Sequence, residues 1–462
     1  MLKLFFLLPN GFQNLVISVI NSLQYKKRYG GNYKKYRAEI NKKEDLKLSK
    51  INQIQEEKAL SFLNYTILNS KFYQEKYKHI DVNKIETISA FKILPILKKE
   101  ELRKHIDLVY TIPKNKGVIS KTGGTTGKPL EVIYTKDDIQ IRFAYLDNFR
   151  GRFGYKLGKK TAWFSGKKLL SDRDVNKNRF WKHDFINKVR FYSTFHINQK
   201  YLEFYIKDLL QYQPEYFVGF PSTLLEIAKY GLKNNLPYSS DNLKAIFPTA
   251  ESINDNDREV IESYFKAPIY DQYASSEGAP FIFECVNKNL HLELSSGIFE
   301  VLDDDDKPAN TGRLILTSFS THGTPLIRYD IGDRLKLAQD KTCNCGNNNP
   351  LVLEILGRIN DFVYSPETGK INLGNISNTL KGVEGVIKFQ VIQDNLDQLD
   401  INIVIDKPSF NENNRLIFKQ NWIDRVGEKM KLNIHTVNDI PKENSGKFRI
   451  VKNNIKHLIE EQ

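Results

Sequence analysis

Residues 120–129, SKTGGTTGKP, carry three glycines, three threonines and two lysines. Glycines admit positive φ and a close approach of ligand to backbone, so successive N–H groups can form a nest for an anion. Thr122, Thr125 and Thr126 add hydroxyls, and Lys128 adds a point charge. The Walker pattern GxxxxGK[ST] fails, because Thr122 stands where glycine is needed and Pro129 follows Lys128. On spacing alone, a phosphate clamp and a flexible surface turn both stand. Other candidates are equally open when taken singly. Asp333 after Gly332 reads as a turn carboxylate, Glu277 as a helix N-terminal carboxylate, and Lys447 as one lysine in a basic tail.

The elements around these residues say where they sit. KGVIS (116–120) and PLEVIYT (129–135) are strand-like, which puts the glycine loop at the tip of a strand–loop–strand unit. From about residue 200 strand and helix alternate: KYLEFYIKDLLQY, EYFVGF, LKAIF, NDREVIESYF. Thr223 with Glu226 three residues on reads as a capping box after Pro221. Such alternation predicts an α/β domain with a largely parallel sheet. Ligands bind beyond the carboxyl ends of such strands. Gly219-Phe220-Pro221, Thr249-Ala250-Glu251 and Tyr273 to Glu277 all fall there. Residues 297–340 read as antiparallel strands, and a boundary is expected at Gly357-Arg358-Ile359-Asn360-Asp361. The remainder forms a small α+β domain of ordinary size.

Bulk properties narrow the classes. The 462 residues suffice for two or three domains. Net charge is +14, mostly lysine, which fits anionic partners, but no basic arm with interleaved aromatics marks specific nucleic-acid recognition. Three cysteines, 285, 343 and 345, make no disulfide framework and fit a reducing cytoplasm. MLKLFFLLPNGFQNLVISVINSLQYKK has no charge between Lys3 and Lys26. Pro9-Asn10-Gly11 interrupts it, and Gln13, Asn14 and Asn21 dilute it. Its apolar runs are too short to span a bilayer, and no small-residue cleavage site follows. The expectation is a docked or interfacial helix, with peripheral membrane contact as one use for it.

SKTGGTTGKPLEV, YASSEG, RYDIGD, GRINDF and PKENSGKFR occur in that order. The set resembles the adenylate-forming superfamily of acyl-CoA synthetases, peptide-synthetase adenylation domains and luciferases. The chain is similar to the phenylacetate–CoA ligase family, and most to its CapK-like branch described as capsular polysaccharide biosynthesis proteins; GFPSTLLEIAKY and FPTAES carry that likeness. The likeness runs from about residue 90 to the C-terminus, and more weakly through the N-terminal helical part. It implies a large N-terminal AMP-binding domain, residues 1–357 with a mostly helical lead-in over 1–105, and a mobile C-terminal domain, 358–462.

The resemblance also implies roles. Thr122, Gly123, Gly124, Thr125, Thr126, Gly127 and Lys128 would hold the β- and γ-phosphates of ATP. Ala250 and Glu251 would border the nucleotide, Tyr273 would stack on adenine, and Asp271 would lie near its amino group. Glu277 would bind Mg²⁺, Asp333 and Arg358 would reach the ribose, and Lys447 would bridge the substrate carboxylate and the α-phosphate. Thr122, Glu277 and Lys447 are the expected catalytic residues. A carboxylate would attack the α-phosphorus, and the acyl carbon would then be attacked by CoA or by another acceptor, such as a sugar amine or hydroxyl. Asn360 replaces the usual hinge Asp or Lys, and VYSPETGKINLGNIS departs from the family's glycine-rich segment, so the CoA half is less well supported than adenylation. Some relatives carry a metal cluster of the kind that Cys285, His291, Cys343 and Cys345 would form. Three thiolates and an imidazole close a tetrahedral zinc shell, a structural role. The competing class is a degenerate, non-catalytic fold that binds nucleotide or nucleic acid.

Overall fold

The segments YFVG and AIFP are buried at every position, as expected of strands covered on both faces. The computed structural model describes residues 2–43, 46–121, 130–166, 169–197, 199–338, 342–358, 362–367, 369–372, 376, 378–380, 382–441, 448–455 and 458. β1 (Val118–Lys121) and β2 (Glu131–Tyr134) pair antiparallel with Lys121 opposite Glu131, so the glycine loop does join two paired strands. β3 (Thr161–Ser165), β4 (Trp181–Asp184), β5 (Val189–Ser193), β6 (Tyr216–Gly219) and β7 (Ala245–Pro248) form a sheet in the order β4-β5-β3-β6-β7. Its pairings are parallel except at the edge strand β4.

Alternation along β6 serves both faces. Phe217 packs with Leu209, Leu224, Ile227 and Phe265 from the helices Leu202–Tyr212, Pro221–Lys233 and Asp255–Phe265. Tyr216 and Val218 pack with Tyr145 and Phe149 of the helix Lys136–Gly151. That helix carries a capping box, Thr135 with Asp138. The box expected at Thr223 and Glu226 is absent: the helix begins at Pro221, one turn earlier, with Phe220 as N-cap, and both residues lie buried in its interior. Proline at the first helical position, with its fixed φ and no N–H to lose, sets the start instead.

β8 (Gln272–Tyr273), β9 (Ile282–Glu284), β10 (Leu290–Leu292), β11 (Gly297–Leu302), β12 (Thr311–Ser318), β13 (Tyr329–Leu337) and β14 (Leu351–Arg358) make an antiparallel sheet ordered β11-β12-β13-β14-β10-β9-β8. Phe62, Leu63 and Tyr73 from the N-terminal helices complete its core. Beyond it, β15 (Phe362–Ser365) pairs with β16 (Gly369–Asn372). β17 (Val386–Asn395), β18 (Gln398–Ile405), β19 (Lys431–Thr436) and β20 (Val451–Asn453) form a sheet ordered β19-β18-β17-β20. The helix Glu412–Val426 lays Phe418 and Trp422 on it against Phe389. The fold is thus mixed α/β, with the parallel sheet and the small C-terminal α+β unit that the sequence predicts.

Candidate active site

The parallel strands β3, β5, β6 and β7 end together at Ser165, Ser193, Gly219 and Pro248. The turn after β7 is pinned there, Thr249 donating its N–H to the Gly219 carbonyl at 2.9 Å. Ala250 follows with φ of 66°, a left-handed conformation that costs a non-glycine residue roughly 1–3 kcal/mol and clusters at functional sites. Glu251 then accepts the Ser222 N–H at 3.1 Å, within the first turn of the helix Pro221–Lys233, where the helix dipole favours a carboxylate. Its other oxygen accepts the Phe448 N–H at 3.4 Å, so the C-terminal segment reaches the ends of the parallel strands.

The antiparallel sheet adjoins these strand ends, Gln272 of β8 donating to the Pro248 carbonyl at 3.1 Å. Tyr273 donates its hydroxyl to Asp333 Oδ2 at 2.5 Å, joining β8 to β13 across 60 residues of sequence. Asp333 pairs in register with Arg358 on β14. Nearby, Glu277 is buried; it pairs with Lys99 through Oε1, and its Oε2 accepts the Tyr329 hydroxyl at 2.8 Å. Gly278 allows this turn, having φ of +106° and no room for a Cβ beside Thr321 Cγ2. Arg142 holds the turn from below, donating to the carbonyls of Gly278 at 2.9 Å and Ala279 at 3.0 Å while lying over the Phe281 ring. Lys99 and Arg142 were not singled out in the sequence, where nothing local separates them from other cations.

Asp271 lies beside Glu284, which accepts the Asp271 N–H at 2.6 Å and is forked by Arg258. Burial and the Glu284 charge push the Asp271 carboxyl up to about 6. The folded chain therefore holds this proton more tightly than the unfolded one. The resulting stability cost is full above pH 6 and vanishes as pH falls below the unfolded value of about 4. Asp271→Asn is expected to melt no lower than the parent at about pH 8, with the difference closing in acid. Thermal melts across pH check this; a variant less stable at pH 8 and unchanged by acid would contradict it.

A second cluster lies at the far end of β14. Cys285, His291, Cys343 and Cys345 bring all their ligand atoms within 4.8 Å of one another. The Cys285 and Cys343 sulfurs are 3.7 Å apart, and Cys345 Sγ is 3.4 Å from His291 Nε2. A tetrahedral edge between two thiolates on zinc measures about 3.8 Å, so the spacing fits. His291 Nδ1 lies 2.9 Å from the Asn349 carbonyl, an arrangement that fixes the proton there and turns the Nε2 lone pair toward the sulfurs.

The expected site residues therefore divide. Ala250 and Glu251 follow β7, Asp271 and Tyr273 lie at β8, Glu277 lies in the turn after β8 and Asp333 lies in β13, while the four metal candidates converge separately. Thr122, Gly123, Gly124, Thr125, Thr126, Gly127 and Lys128 lie outside the described residues, as do Asn360 and Lys447; for Arg358 only the backbone is described.

Residues 363–454 match the family described as the CapK C-terminal domain. Protein CapK of Staphylococcus aureus is 34% identical over 97% of this chain and 98% of its own length. A phenylacetate–coenzyme A ligase of Thermus thermophilus is 21% identical over 88% of this chain and 97% of its own. Among solved structures, 2-hydroxyisobutyryl-CoA ligase in a postadenylation state, bound to an acyl-AMP, superposes with a TM-score of 0.72 at 16% identity, covering 91% of this chain and 92% of that one. The same ligase in its thioesterification state, with acyl-AMP and CoA, scores 0.58 at 18% identity, covering 91% and 93%.

Proposed function

The chain belongs to the CapK family, and from that premise we propose that it is an adenylating ligase: it activates a small carboxylic acid with ATP as an acyl-adenylate and passes the acyl group to an acceptor. The observation that supports this most is the contact between Phe448 and Glu251. Phe448 follows Lys447 directly in the sequence, and Glu251 stands where the parallel strands end. The higher score against a postadenylation state than against a thioesterification state agrees with such docking. In this reading residues 1–357 are the AMP-binding domain and 358–462 the mobile domain.

Two anions must meet, the substrate carboxylate and the α-phosphate, so the site has to neutralise charge. Lys447 would bridge them, and the amides of Gly123, Gly124 and Gly127 with Thr122, Thr125, Thr126 and Lys128 would hold the leaving pyrophosphate. Asp333 would exchange its Tyr273 hydroxyl bond for the ribose hydroxyls, freeing Tyr273 to lie against adenine. Arg358 would reach the same ribose. Glu277 would hold the Mg²⁺ that travels with ATP, a charge-neutralising ion that keeps several waters and takes one or two carboxylates. This requires Lys99, which is 30% exposed on a flexible stem, to turn away from Glu277. No protein nucleophile is needed. Cys285, His291, Cys343 and Cys345 would hold zinc in a closed, structural shell.

The acceptor is CoA, or an amine or hydroxyl on a sugar. The likeness to a phenylacetate–coenzyme A ligase motivates the first, and membership of the CapK family motivates the second. ATP–pyrophosphate exchange across aryl, fatty, hydroxy and amino acids tests the first half; acid-dependent exchange supports it. Salt-dependent nucleic-acid binding with no exchange for any acid would favour the non-catalytic class instead. Thioester or ester and amide assays with the active acid then separate the acceptors.

A further inference from the structure

The helix Asn10–Tyr29 is inside out. Helices on soluble proteins turn apolar residues inward and polar residues to water. Here Gln13, Asn14 and Ser18 are buried beside a single aliphatic residue, Ile17, while Phe12, Leu15, Val19 and Leu23 are 61%, 53%, 48% and 56% exposed. The cause is the edge strand β4, whose outward backbone groups need partners. Asn14 Oδ1 accepts the His183 N–H at 3.0 Å, Ser18 Oγ accepts the Phe185 N–H at 3.0 Å, and Asn21 donates to Asp184 at 3.0 Å. The helix spends its polar face on capping a sheet edge. Its apolar ridge, spaced 12, 15, 19, 23, is left facing outward.

The β4–β5 turn extends that ridge, presenting Phe185 and Ile186 at 56% and 58% exposure. An apolar surface of this kind on one side of a soluble fold marks an interaction site. Its charge says with what. The first acidic residue of the chain is Glu39, whereas Lys26 and Lys27 stand exposed at one end of the helix and Lys188 stands beside the Phe185 turn. Arg173, beside the exposed Asp172, reaches the Leu7 carbonyl at the other end. The ridge itself is aliphatic with one phenylalanine, and it lacks the tyrosine, tryptophan and arginine that anchor protein interfaces. No helix among the described residues is long and apolar enough to cross a membrane.

We propose that this face docks the protein on the surface of an anionic lipid bilayer, with the helix lying in the interface plane. Phe12, Leu15, Val19, Leu23 and the Phe185-Ile186 tip enter the headgroup–acyl boundary, and Lys26, Lys27 and Lys188 rest on anionic headgroups. The docking is independent of the adenylation reading, since none of these residues belongs to the candidate active site.

Co-sedimentation of the full chain with phosphatidylcholine vesicles, with and without phosphatidylglycerol, tests it. Binding to the anionic vesicles is expected, at least tenfold stronger than to neutral ones and weakened by salt. Phe12→Glu with Leu15→Glu is expected to abolish it, and Lys26→Glu with Lys27→Glu to weaken it roughly tenfold. All these side chains are exposed, so an unchanged melting temperature will certify the fold of each variant. Binding that survives Phe12→Glu with Leu15→Glu would overturn the proposal. So would equal binding to neutral vesicles, and so would a dimer that these substitutions dissociate in a chain that ignores vesicles.

Discussion

Lys447→Ala is expected to lower ATP–pyrophosphate exchange by roughly 10²- to 10³-fold while leaving ATP binding within a few-fold of the parent. The magnitude follows from the chemistry. A carboxylate approaching the α-phosphate raises negative charge, and a cation aimed there acts mainly on the transition state. Loss of a group that only helped hold ATP would instead raise KM with kcat unchanged. Glu251 offers the contrast. It touches the chain at Phe448 rather than the reacting atoms, so Glu251→Gln, which keeps an acceptor oxygen, is expected to cost far less than Lys447→Ala. Single-turnover exchange and nucleotide titration on both variants check the pair. Equal losses in both would move the role from Lys447 to the docking contact.

Metal analysis of protein purified without chelator is expected to find about one zinc per chain, and Cys345→Ser to lose it. The consequence should be large, because the cluster ties three parts of one sheet. Cys285 follows β9, His291 lies in β10, and Cys343 with Cys345 precede β14, whose Leu351 sits opposite His291. β14 ends at Arg358, in register with Asp333. Unpinning its start should therefore lower the melting temperature by many degrees and raise the KM for ATP, although no ligand atom touches nucleotide. Melting with and without a chelator, followed by zinc re-addition, measures this. Metal-free protein with the same melting temperature would remove the zinc shell and leave three reduced thiols around a histidine.

Local pattern carried much of this structure. β1 and β2, β6 and β7, and the helix Asn254 caps all stand where periodicity and turn residues put them. The pattern failed where a distant partner decides. Thr223 and Glu226 have the spacing of a cap, but the preceding proline already fixes the helix start. Lys99 is one lysine among many until the fold sets it against Glu277, 178 residues away. Nothing in the local sequence marks Arg142, yet it is buried against the turn that carries Glu277. Gln13, Asn14 and Asn21 looked like dilution of an apolar segment; Asn14 and Asn21 meet β4, because an edge strand needs hydrogen bonds more than it needs aliphatic contact, and Gln13 donates to the Leu8 carbonyl of its own segment. The Cys/His cluster was legible only as a set of residue types, its closure being a matter of sheet register.

The central claim is attack by a carboxylate on the α-phosphorus of ATP. It is tested most directly by running the complete reaction with the acid that supports exchange, labelled with ¹⁸O in both carboxyl oxygens, and weighing the nucleotide product. If the adenylate forms and the acceptor then attacks its acyl carbon, the C–O bond breaks and AMP leaves carrying one labelled oxygen, while pyrophosphate carries none. Release of ADP, or of AMP without label, would contradict the account.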